Sequence, residues 1–160
     1  MSGNEFTVMK TIDMLRQSAP GLASLIEDAG ELELRRVAAV VARAVVSRTR
    51  LSHPVIDRAL ERLDTAQLPD ADFQTKVQAA AEELDEEYFA LKEQLEERED
   101  AGKTNQKVSI AFSRARAASA VAAALGEDKK EAAASAAYEA VSAIDDSDYL
   151  TNALKRTLAK

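Results

Sequence analysis

Cysteine is absent from this chain of 160 residues, histidine occurs once, proline three times and glycine five times. Without cysteine there is no disulfide framework and no thiolate metal site, and nothing argues for secretion, so a reducing cytoplasm is the expected compartment. The single histidine, His53, cannot supply the two Glu-x-x-His pairs of a di-iron carboxylate centre. With no cysteine and no Gly-x-Ser-x-Gly elbow, nucleophilic catalysis has no support either. His53 stands in a predicted turn before Pro54, where a helix cap or a solvent-exposed residue is the expected role. The five glycines stand alone in none of the Walker or dinucleotide spacings, so no phosphate-cradling loop and no cofactor are implied. Long apolar runs are missing as well. The longest, VAAVVARAVV at 37–46, is cut by Arg43 and falls far short of the roughly 20 residues that cross a bilayer, and MSGNEFTVMK does not read as a signal peptide. No membrane partner is expected.

What the chain has in excess is negative charge in one place. Residues 82–100, EELDEEYFALKEQLEERED, hold ten acidic and two basic side chains, or −8 of a net −7, so the other 141 residues sum to +1. A nucleic-acid partner is disfavoured, because binding phosphate needs a net basic face. A basic protein partner fits the charge.

The abundance of alanine, leucine, glutamate and arginine favours helix nearly throughout. The expected fold is a single all-α domain over 1–160, a compact bundle of seven or eight helices with one long acidic helix and an alanine-rich hairpin. Proline, glycine and capping residues place the helices at approximately 4–18, 21–29, 31–50, 54–64, 71–101, 105–125, 129–144 and 148–159. Pro69 and Gly102 are read as boundaries, and Asp128 with Glu131 has the form of a capping box. Between 71 and 101, Val77, Ala81, Leu84, Tyr88, Leu91 and Leu95 follow a 4-3 spacing, the seam of a long helix packed along a neighbour. Fifteen alanines in residues 111–143 predict two closely packed helices turning at Gly126.

Three sets of residues are candidates for function. Most acids of the long helix avoid its seam, and Phe89 lies seven residues from both Glu82 and Glu96, on the outward side. An aromatic ring amid carboxylates suits an interface anchor, so Glu82, Glu86, Phe89, Glu93 and Glu96 form the candidate partner-binding face. A second helix packed on that side would instead make Phe89 core. Second, the pairs Glu83/Glu86 and Glu97/Asp100, with Asp57, Glu61 and Asp64 on the preceding helix, offer ligands for a hard cation. Third, Arg36, Arg43 and Arg50, spaced by seven with Arg35 and Arg48 nearby, form a basic stripe expected to pair internally, with the acidic helix as the abundant counterpart.

Two resemblances bear on these candidates. The Glu-x-x-Glu then Glu-x-x-Asp spacing resembles that of the all-α nucleoside triphosphate pyrophosphohydrolases, which implies a divalent-metal-dependent phosphohydrolase as an alternative function. In that family the two pairs stand on different helices, whereas here both fall on one predicted helix and do not converge. LRRVAAVVARAVV at 34–46, with AAASAAYEAV at 132–141, resembles small all-helical immunity proteins of bacterial toxin systems. That resemblance implies a non-enzymatic role blocking a basic partner, in line with the charge. The expected function is therefore protein binding without catalysis and without a bound metal, with a structural homo-oligomer as a further alternative.

Overall fold

The computed structural model describes residues 10–65, 70–97 and 101–158. Among them are eight helices and no strand: α1 (Thr11–Ser18), α2 (Pro20–Asp28), α3 (Glu31–Thr49), α4 (Pro54–Asp64), α5 (Ala71–Glu97), α6 (Ala101–Ala124), α7 (Lys129–Ile144) and α8 (Ser147–Leu158). The all-α bundle expected from composition is the fold, and α5 is its longest helix at 27 residues. The expected start of the first helix at residue 4, Pro69 and Asp100 lie outside the described residues. Gly102 does not close α5; it lies in the first turn of α6.

Four helix starts are each set by a single polar side chain that satisfies an otherwise unpaired amide. His53 Nδ1 accepts from the Val55 amide at 3.2 Å ahead of Pro54, so the lone histidine is a cap. Asp70 accepts from the Phe73 amide at 2.8 Å and Asp146 from the Tyr149 amide at 3.1 Å. Asp128 accepts from the Glu131 amide at 3.0 Å, but the reciprocal half of the capping box does not form. Glu131 instead accepts from the hydroxyls of Thr11, at 2.7 Å, and Ser135, at 2.8 Å, tying α7 to α1.

The body is arranged around α3 and α7. Helix α7 packs against α1, α2, α3, α6 and α8, and it can touch so many neighbours because its inward residues are almost all alanine. Ala133, Ala136, Ala137 and Ala140 are fully buried, as are Ala117, Ala118 and Ala120 on α6, so the close hairpin read from the sequence is present. Larger side chains fill the outer layers, Leu15 on α1, Leu22 and Ile26 on α2, Ile56 on α4, and Leu150 and Leu154 on α8. No described polar or charged residue is buried. At the α6–α7 turn, a Cβ on Gly126 would stand 3.2 Å from the Ala123 carbonyl oxygen. The same turn is held by Arg35 of α3, which donates to the carbonyls of Gly126 at 2.5 Å and Glu127 at 2.7 Å, neutralising the negative end of α6.

Helix α3 ends with Arg50 in the left-handed region, φ 57°, while the Leu51 amide reaches back to the Val46 carbonyl at 3.2 Å. Glycine is the usual residue at such a stop because a Cβ is disfavoured there. Arg50→Gly is expected to raise stability by about 0.5–1 kcal/mol, the backbone gain less the loss of a cation near a helix C-terminus. The urea midpoint of the variant measures it.

Candidate functional site

Burial along α5 divides it into two parts. Phe73, Val77, Ala80 and Ala81 are buried against the body, and beyond Ala81 no side chain of α5 is fully covered. Leu84, Tyr88, Leu91 and Leu95 are half-buried, and residues 106–114 of α6 are likewise half-covered or exposed. The two helices therefore leave the bundle as a paired arm whose apolar seam is the one read from the 4-3 spacing. Tyr88 marks the seam, with its ring edge-on to Phe112 of α6 at 5.3 Å and tilted against Phe89 at 5.0 Å.

The candidate face is the neighbouring row on the same helix. Glu82, Phe89 and Glu96 each follow a seam residue by one position, a rotation of about 100°, Glu86 and Glu93 follow one by two, about 200°, and the five span about 21 Å along the axis. All five are exposed, Phe89 at 57%. No second helix covers this side among the described residues, so Phe89 is not core. Glu82 accepts a long hydrogen bond from Gln78 at 3.5 Å, and Glu86, Glu93 and Glu96 form no ion pair among the described residues. The structure thus brings the five residues together as one uncompensated anionic stripe around an exposed ring.

Asp85 behaves differently. It flanks the seam on the inner side and pairs at 2.5 Å with Arg116 of α6, which also meets Glu139 of α7 at 3.0 Å. Burial works against the Arg116 charge, but the Asp85 hydrogen bond and the fields of Glu139 and Asp85 outweigh it and raise the guanidinium above its ordinary value. One cation thereby locks the root of the arm to the body.

The basic stripe pairs internally only in part, and away from the acidic helix. Arg43 pairs with Asp64 of α4, Arg48 reaches Asp146 at 3.4 Å, and Arg35 serves the α6–α7 turn. Arg36 and Arg50 have no ion pair among the described residues. The helix crossings put α4, α7 and α8 beside α3, and no ion pair joins α3 to α5 among the described residues. The sequence reading missed Arg116 altogether. Its signal was available: in SRARAASA, two arginines spaced by two interrupt a stretch of small buried residues, and such side chains must leave at the margins of a packed helix.

The acidic pairs do not converge. Helix α5 is continuous from Glu83 through Glu97, so Glu83 and Glu97 stand about 21 Å apart on one rod. Among the described residues no group of three or more histidine, aspartate or glutamate side chains is placed to hold a metal ion, and no helix is long and apolar enough to cross a membrane. Comparison with protein-family models, with curated proteins and with solved structures gives no match. Function rests on the geometry of the chain itself.

Proposed function

We propose that this chain is a non-enzymatic protein-binding module that docks a basic protein through the α5 face formed by Glu82, Glu86, Phe89, Glu93 and Glu96. One observation carries the reading: Phe89 is 57% exposed in the middle of carboxylates that nothing else in the described chain neutralises. An exposed ring supplies area to bury on binding, and the surrounding charges draw a cationic surface toward it. The immunity-type form of the proposal, in which the partner is a basic toxin held inactive in the cytoplasm, follows from the resemblance of residues 34–46 and 132–141.

The test begins with a partner recovered on the immobilised protein, identified, and titrated against variants. Phe89→Ala is expected to weaken binding by about 2 kcal/mol, roughly thirtyfold, with a denaturant midpoint close to that of the parent because the ring is exposed. Replacing Glu82, Glu93 and Glu96 together by glutamine should slow association, and the loss should shrink as salt rises. A recovered partner whose affinity ignores both variants would overturn the proposal. Self-association abolished by Phe89→Ala would assign the face to a second copy of the chain.

A further inference from the structure

On the other flank of the arm the charge reverses. A crevice of about 610 Å³ opens between the arm and the α3–α4 connection, within the range of about 300–1,000 Å³ typical of small-ligand sites. Its walls carry three cations, Arg50, Lys107 and Arg114, against one carboxylate, Glu87. The chain as a whole is at −7, so a local excess of positive charge runs against its composition.

Two of the cations belong to its base, Arg50 at the end of α3 and Arg114 on α6. Arg114 Nε donates to the Thr49 carbonyl at 3.2 Å, which places its guanidinium beside the residue that follows Thr49, Arg50. Neither Arg50 nor Arg114 has an ion pair among the described residues. Arg114 already answers the exposed end of α3, so the cap does not require the Arg50 charge. Arg50 also occupies a backbone conformation that glycine would adopt at lower cost. Between this base and Lys107, seven residues and about 10 Å along α6, the wall is apolar, with Ile110 and Ala111 facing Leu84 of α5.

We infer that this crevice is a binding site for a small anionic amphiphile, with a carboxylate or phosphate headgroup held by Arg50 and Arg114 and an apolar portion laid along Leu84, Ile110 and Ala111. Guanidinium forks suit such oxyanions, and an anion taken into a crevice that both guanidiniums line offsets their like charge. A peptide strand is a poorer occupant, because the long walls are helices whose backbone groups are consumed internally and offer no edge to pair with. The site is independent of the Phe89 face, on the opposite side of the seam.

Calorimetric titration of the full chain tests the inference, with decanoate and decyl phosphate as the two headgroups and decanol, acetate and inorganic phosphate as controls. At least one decyl anion should bind at about 1 mM or tighter, with the controls at least about tenfold weaker. Which decyl anion binds better identifies the headgroup. Arg50→Gly should weaken binding about tenfold although the variant is expected to gain stability, so the loss is not one of folding. Ile110→Gln should weaken both decyl anions. Decanol binding as well as decanoate, acetate or phosphate binding as well as the decyl anions, an Arg50→Gly affinity equal to the parent's, or no heat from either decyl anion would each overturn the inference. So would binding of an acidic, leucine-rich peptide by a chain that ignores both decyl anions.

Discussion

Ala137→Leu is expected to destabilise the protein by about 2–3 kcal/mol, while the same change at Ala90 should stay within about 0.5 kcal/mol. Both are alanines in long helices, and leucine is nearly as good a helix former, so local preference does not separate them. Packing does. Ala137 is fully buried on α7, which has neighbours on nearly every side, whereas Ala90 is exposed on the arm. Extra carbons at Ala137 have no space unless a neighbouring helix moves, and moving α7 disturbs five contacts between helices at once. Urea unfolding of the two variants beside the parent gives the comparison directly; equal effects would mean that the alanine interfaces are not close-packed.

Arg116→Met should cost about 2 kcal/mol, because it leaves Asp85 and Glu139 facing a site that no longer holds a cation. The figure is set below that for a fully buried pair, since the Arg116 side chain keeps 23% of its surface in solvent and the field is partly screened. Adding Asp85→Asn and Glu139→Gln to Arg116→Met should recover much of the loss, as these changes remove the uncompensated charges. No recovery in the triple variant would show that Arg116 contributes through the packing of its stem instead. Both effects are read from denaturant midpoints at one salt concentration.

These two sites also mark what a sequence can disclose. Helix positions were legible because His53, Asp128 and the isolated prolines are local signals, each acting within one turn of its own position. The seam of α5 was legible because its period is that of a helix packed on a neighbour. The α5–α6 boundary was set too late because Gly102 resembles a helix stop, while the chain uses it inside the first turn of α6. Whether Phe89 was core or surface depended on whether a helix lay across that side of α5, and periodicity along one helix does not report the placement of another. The partners of Arg43, Arg48 and Arg116 were hidden for the same reason: they are fixed by which helices cross, and residues 21 to 98 positions apart meet only in the folded chain. The half-formed capping box is a smaller case. Thr11 of α1 offers Glu131 a hydroxyl that the local pattern could not foresee.

The thinning of burial from Val77 to Leu95 gives the molecule two thresholds of opening. The lower belongs to the arm, whose seam is half-wet and whose helices hold mainly each other; the upper belongs to the body, where α3 and α7 each pack against several helices. Fraying of the arm can therefore come and go while the rest stays shut, with the Arg116 cluster as the place where the zipper stops. A partner that grips the closed arm lifts the lower threshold toward the upper one, and its apparent affinity carries the cost of every moment the arm spends apart.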